Sequence, residues 1–240
     1  MFLHGTRLTR GQWAGQLRRL SGRYRCIAID LPGHGGRAAE TFTHESAVRA
    51  VIEALDAEVP GRPALLVGLS LGGYVAIEVA EMHPGRVSGL VLAGASAEPV
   101  GPVTVPFRVF AWIMEHRVTA RLFALGSGAF FRVRYPRAIA QPIVRGGFWS
   151  KGGADAIRTL VGRRYLERVQ RLWTPIVIVN GALDPVFRPG GDPWAHGARR
   201  GRHVVIPRAL HLSNLDRPST FSRVVAEALE EVLAASHITP

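Results

Sequence analysis

Cysteine and lysine are almost missing from this chain. The single cysteine, Cys26, lies in the apolar stretch YRCIAID. One thiol excludes an intrachain disulfide, permits a reducing compartment, and reads as a buried strand residue. Of the 30 basic residues all but Lys151 are arginine, a bias that GC-rich codon usage produces by itself. Long apolar runs are missing too. The most apolar segment, GPVTVPFRVFAWIM, is broken by Pro106 and Arg108. It falls short of the roughly 18 residues that a membrane-spanning helix needs. The opening MFLHGTRLTRGQW has neither the basic start nor the apolar stretch and small-residue cleavage site of a secretory signal. A soluble, cytoplasmic protein without a transmembrane segment is the expectation. Internal repeats, low-complexity tracts and long linkers are also lacking.

What is there suits a globular protein: 240 residues, 47% hydrophobic and 20% charged. That length makes one large domain, or a domain carrying a sizeable insertion. The formal net charge is +12, and it is unevenly spread. From Val100 to Trp173, twelve arginines and Lys151 stand against only Glu115, Asp155 and Glu167, a surplus of +10. A solvated basic face, an anionic substrate, an anionic membrane surface and an acidic partner all fit such a surplus. Nucleic acid is not expected, since no recognition motif accompanies the charge.

Short apolar runs alternate with amphipathic stretches, the pattern of parallel strands joined by crossover helices. Strands are predicted near residues 1–4, 24–30, 64–69, 88–94, 175–180 and 203–207, and helices near 11–20, 44–58, 71–83, 192–200 and 218–236. Runs such as SGLVLAG and PIVIVNG are apolar at successive positions, as strands covered on both faces should be. Residues 98–173 interrupt the alternation with arginine-rich and aromatic-rich helical segments. The predicted organisation is an α/β core, 1–97 and 174–240, with a helical lid over one end of the sheet.

One motif carries chemistry. GLSLG, with Ser70 at its centre, fits G-x-S-x-G, a sharp strand-to-helix turn that holds a serine in a strained conformation with its hydroxyl exposed. Side chains at Gly68 and Gly72 would collide there. The helix that follows offers its N-terminal N–H groups, Leu71 first, to a developing oxyanion. A serine hydroxyl needs a base, and the base needs an acid to hold its tautomer. Of nine histidines, His211 in RALHLSNLDRP lies just past the last strand, whereas His203 opens that strand at the opposite end. His4, His34 and His83 sit in local turn motifs and read as structural. Asp184, in PIVIVNGALDP, is the leading acid, Glu98 after LVLAG is its rival, and Asp216 reads as a local structural carboxylate. The Thr6 N–H, after FLHG, is the candidate second oxyanion donor.

Together HGTRLTRGQW, DLPGHG, GLSLGG, HPGRVSGLVLAG, VNGALD and LHLSNLDRP closely resemble the α/β-hydrolase superfamily, in the branch with a lid between its sixth and seventh strands. The resemblance implies Ser70 as nucleophile, Asp184 as acid, His211 as base, Thr6 and Leu71 as oxyanion donors, and Asp30 to Gly35 as a structural turn. It implies no cofactor and no metal. Family members usually begin with an antiparallel hairpin, yet Met1 here falls inside the strand that ends in His-Gly. Six parallel strands rather than eight, with the lid between the fourth and fifth and a new sheet edge, are therefore expected, whether the start is assigned late or the protein is short.

The resemblance further implies a serine hydrolase acting on an ester or related acyl bond of a small molecule, by way of an acyl-enzyme. Carbon–carbon bond hydrolases, thioesterases, lyases and cofactor-free haloperoxidases share these motifs, and a non-catalytic receptor on this fold is a further alternative. The lid should choose the substrate. Phe107, Phe110, Trp112 and Phe131 are the expected substrate contacts, with Met114, Phe123 and Phe130 as further apolar candidates. An anionic substrate is favoured if the lid arginines face the pocket.

Overall fold

The structure, a computed structural model, describes residues 1–236. Its centre is a sheet of six parallel strands: β1 (Phe2–Leu3), β2 (Ala28–Ile29), β3 (Ala64–Leu69), β4 (Val87–Ala93), β5 (Ile176–Gly181) and β6 (Gly201–Ile206). Their order across the sheet is β2-β1-β3-β4-β5-β6. Period-two geometry sorts the side chains of each strand to two faces. Leu66, Leu90, Leu92, Ile176 and Ile178 face one way, beneath α2 (His44–Glu58), α3 (Leu71–Met82), α8 (Tyr165–Arg171) and α9 (Gly191–Gly197). Leu65, Val67, Leu69, Val91, Val177 and Val179 face the other, beneath Trp13, α1 (Ala14–Leu20) and α11 (Pro218–Ser236). This double covering is why the strands read as unbroken apolar runs.

β1 and β2 are shorter than their apolar runs predict. Ladder pairing is confined to Phe2 with Ala28 and Leu3 with Ile29, and the Phe2 N–H adds one bond to the Ile27 carbonyl at 2.7 Å. β2 forms the sheet edge next to β1. α2 starts where the sequence implies, because the Thr43 hydroxyl accepts from the Ser46 N–H at 3.0 Å and the Ser46 hydroxyl accepts from the Thr43 N–H at 2.9 Å. This reciprocal cap satisfies two N–H groups that a helix start leaves open, worth about 1 kcal/mol.

Between β4 and β5 the chain leaves the sheet and builds α4 (Thr104–Glu115), α5 (Arg117–Arg134), α6 (Arg137–Gly146) and α7 (Ser150–Leu160) before α8 returns it. Two small cores hold this insertion. Ala111 and Met114 of α4 pack on Ala154 and Ile157 of α7. Phe131 and Tyr135 pack with Ile143 of α6 and with Leu8 and Leu215 of the body. A buried polar cluster adds a second anchor. His44 Nδ1 stands 2.5 Å from Glu78 Oε2, His44 Nε2 stands 2.8 Å from the Thr159 carbonyl, and the Tyr165 hydroxyl donates to Glu78 Oε1 at 2.9 Å. Among the described residues no helix is long and apolar enough to cross a membrane.

Candidate active site

Ser70 joins β3 to α3 with φ 53 and ψ −116. A non-glycine residue held there stores strain on the order of 1–3 kcal/mol. The surroundings impose it: the Ser70 N–H donates to the Ala93 carbonyl at 2.8 Å, and the Ser70 carbonyl accepts from the Gly73 N–H at 2.8 Å. The glycines two positions away allow it. A Cβ at Gly68 would lie 2.2 Å from the Gly72 carbonyl oxygen, and one at Gly72 would lie 2.2 Å from the Leu3 carbonyl oxygen. Any side chain at either position would force the turn open.

Beside Ser70, His211 opens onto the same cavity of about 400 Å³, which Thr6 also lines. His211 Nδ1 and Asp184 Oδ2 are 3.0 Å apart. Asp184 is only 3% exposed, and its Oδ1 accepts from the N–H groups of Val186 and Phe187, each at 3.1 Å. Burial alone pushes that carboxyl up. The hydrogen bond and charge of His211, with the two N–H groups, outweigh it and hold Asp184 below its usual value. With Nδ1 turned to Asp184, Nε2 is the ring nitrogen left for proton exchange.

The competing acids are occupied elsewhere. Glu98 Oε1 accepts from the N–H groups of Tyr165 at 3.1 Å and Leu166 at 2.6 Å, which caps the start of α8. Asp216 ties the His211 loop to the insertion: it accepts from the Leu210 N–H at 2.8 Å, the Tyr135 hydroxyl at 3.0 Å and the Arg134 guanidinium at 3.0 Å. His203 lies between Asp192 Oδ1 at 2.7 Å and Asn180 Oδ1 at 2.9 Å.

Thr6 sits in a loop braced from behind. His4 Nε2 accepts from the Leu31 N–H at 3.0 Å, His34 Nε2 accepts from the Arg7 N–H at 3.2 Å, and Gln12 Oε1 accepts from the Gly5 N–H at 2.9 Å. Burial, with the neighbouring ring, lowers the His4 pKa to about 3, and burial lowers that of His34 to about 4. Both rings therefore stay neutral and able to accept. Asp30 closes the adjoining turn, accepting from the Arg10 N–H at 2.7 Å and the Gly36 N–H at 2.9 Å. Among the described residues, neither the Thr6 N–H nor the Leu71 N–H is taken by a backbone acceptor.

The cavity wall is mainly apolar. Phe107 and Phe110 of α4 line it, together with Ile157 and Leu160 of α7. Trp112 and Phe131, expected as substrate contacts, do not. Trp112 is 54% exposed and lies against the His116 ring at 4.4 Å, because two residues along a helix from Phe110 is nearly the opposite face. Phe131 stacks on Tyr135 and Phe148, each at 5.7 Å, in the small core that the insertion shares with Leu8 and Leu215. Met114 is likewise buried between α4 and α7, and Phe130 is exposed. None of the arginines of the insertion lines the cavity.

Sequence reasoning missed two neighbours of His211. Phe187 stacks on the imidazole at 4.7 Å, and Gly94, with φ 53, leaves room for it. Gly94 closes the strand predicted at 88–94 and lies just past the end of β4 at Ala93. No cluster of three or more His, Cys, Asp or Glu side chains among the described residues is arranged to hold a metal ion.

Comparison with known proteins finds relatives along nearly the whole chain. The chain is 27% identical to a pimeloyl-[acyl-carrier protein] methyl ester esterase of Neisseria meningitidis serogroup A, across 96% of this chain and 76% of that one. It is 28% identical to the enzyme of the same name from Nitrosomonas europaea, across 92% and 91%. In fold it matches a thermophilic esterase from Thermogutta terrifontis with a TM-score of 0.79, at 24% identity, across 96% and 89% of the two chains. The pattern of the alpha/beta hydrolase family matches residues 1–234, and the chain belongs to that family.

Proposed function

We propose that this protein is a serine-dependent carboxylic ester hydrolase. Ser70 Oγ attacks the carbonyl carbon as His211 Nε2 takes its proton, and Asp184 orients the ring and stabilises the imidazolium. The N–H groups of Thr6 and Leu71 receive the negative charge that develops on the carbonyl oxygen. His211 then returns its proton to the departing alcohol, and water, deprotonated by the same ring, releases the acid from the acyl-enzyme. One observation carries this reading: the 3.0 Å contact of His211 with a buried Asp184 at a cavity that also holds a strained serine. The names of the relatives support an ester bond. The apolar wall supports an uncharged acyl or alkyl group beside it.

A second reading concerns what carries the ester. Arg132, Arg137 and Arg145 line a surface groove of about 420 Å³ on α5 and α6. The relatives' named substrate is an ester on a carrier protein, and a cationic groove favours an acidic carrier of that kind. A p-nitrophenyl ester chain-length series with a Ser70→Ala control tests the first reading. Turnover in the parent, abolished in Ser70→Ala, is expected, and turnover that survives the change would place the chemistry elsewhere. A carrier-bound ester, compared with its free counterpart across a salt series, tests the second. Only the carrier-bound form should lose rate as salt rises.

A further inference from the structure

Arg7 follows Thr6 and is unusual in three respects. Its backbone is left-handed at φ 66, where a residue with a side chain is strained. The residue is only 6% exposed, yet among the described residues its guanidinium meets no carboxylate, and its Nε has no hydrogen-bond partner. The charge instead rests on the insertion. The guanidinium carbon stands 4.1 Å from the centre of the Phe123 ring and 5.6 Å from that of Phe148, and Nη1 and Nη2 donate to the Ser127 hydroxyl at 3.4 and 3.3 Å. Burial lowers its pKa only to about 10, so the group remains a cation.

The backbone of Arg7 is clamped as firmly. Its N–H donates to His34 Nε2, and its carbonyl accepts from the Trp149 N–H at 2.9 Å. Among the described residues Thr6 makes no hydrogen bond of its own, and its backbone is fixed on both sides, at Gly5 by Gln12 and at Arg7 by His34, Trp149 and α5. A cation buried without a counter-charge is unfavourable for folding.

We propose that Arg7 is a positioning residue, whose side chain, seated on Phe123 and Ser127 of α5, holds the Thr6 N–H in place and makes the oxyanion site depend on the docked insertion. This rests on the ester-hydrolase reading.

The test uses the full chain as parent, Arg7→Met, Arg7→Lys, Arg7→Gly and Phe123→Leu. Glycine accepts φ 66 without strain, so Arg7→Gly removes the side chain and leaves the backbone at ease. Active sites are counted with a fluorophosphonate. Then kcat and KM are measured on p-nitrophenyl butyrate, together with the affinity for phenylboronic acid, whose serine adduct carries the tetrahedral oxygen. In Arg7→Met and Arg7→Gly, kcat per active site should fall on the order of 10- to 100-fold with little change in KM. Boronate affinity should fall in step. Arg7→Lys should recover part of both, and Phe123→Leu should lower both by less. A role confined to folding would change the number of active sites and leave boronate affinity per site untouched, and that outcome overturns the proposal. So does parent-like kcat in Arg7→Gly and Arg7→Met. A parent that forms no serine adduct would overturn the ester-hydrolase reading and this proposal together, whereas a reactive parent with unchanged variants overturns only this one.

Discussion

The ring of His211 occupies the space that a side chain at position 94 would fill: a Cβ on Gly94 would stand 2.8 Å from both Nδ1 and Cε1 of the imidazole. Gly94→Ala therefore strains a backbone at φ 53 and pushes the ring out of its present place. Displacing a reacting group by about 1 Å costs on the order of 100-fold in rate. The expected result is that loss in kcat/KM with a melting temperature only a few degrees lower. Parent-like turnover would show that the ring does not need this space.

Asp184 and Glu98 separate by what their oxygens touch. Asp184→Asn removes the charge that faces Nδ1 and permits the wrong tautomer, a change that costs on the order of 10⁴-fold in kcat where such an acid orients a catalytic histidine. Glu98→Gln disturbs the start of α8 instead, so about 1 kcal/mol of stability should go while the rate stays within a few-fold. Paired steady-state and melting measurements check this, and a larger rate loss in Glu98→Gln would reverse the assignment.

Cavity contacts should divide by helix face. Phe110→Ala enlarges the wall beside Ser70 and should raise KM for short esters while longer ones gain relative to them. Trp112→Ala, on the outward face of the same helix, should leave the whole chain-length profile unchanged. A profile altered by Trp112→Ala and not by Phe110→Ala would mean that substrate approaches from outside the insertion.

The contrast between these two aromatics marks the limit of what the sequence made legible. GLSLG, the Asp184 turn and the His211 loop were readable as candidates because a proposed nucleophile, acid and base each need a local backbone shape that few residues permit. The strands β3, β4 and β5 were readable because covering on both faces leaves few polar positions, Ser88 and Asn180 among them. Which faces of the insertion meet the cavity was not, since α4 and α5 are apolar on more than one side and only packing decides that Phe107 and Phe110 face the cavity while Phe131 joins a separate core. Gly94 and Phe187 were missed for a related reason: their partner is His211, more than twenty residues away, and no local signal announces it. Arg7 looked like one arginine among many until its burial and positive φ set it apart.

Stability should decline on mild acidification. His4 and His34 are held neutral, at about 3 and about 4, chiefly by burial, while the unfolded chain takes up a proton on each below its ordinary value of 6.5. The unfolded state thus binds more protons, so the stabilisation is complete above pH 6.5 and is lost as pH falls towards 4 and then 3. Within that window each ring contributes about 1.4 kcal/mol per pH unit. Asp184, held low, adds a loss in the same direction at still lower pH. Urea midpoints between pH 7 and 4.5 should fall steadily, and less steeply in His34→Gln, which loses one titrating ring. A flat profile would mean that the unfolded chain gains no protons over the folded one.

The most direct measurement of the central claim is the mass of the adduct formed with a serine-directed fluorophosphonate, located by peptide mapping. The expected result is one phosphonyl group per chain, on the peptide that carries Ser70, formed in the parent and absent in Ser70→Ala. No adduct at any pH, or an adduct on a residue other than Ser70, would contradict it.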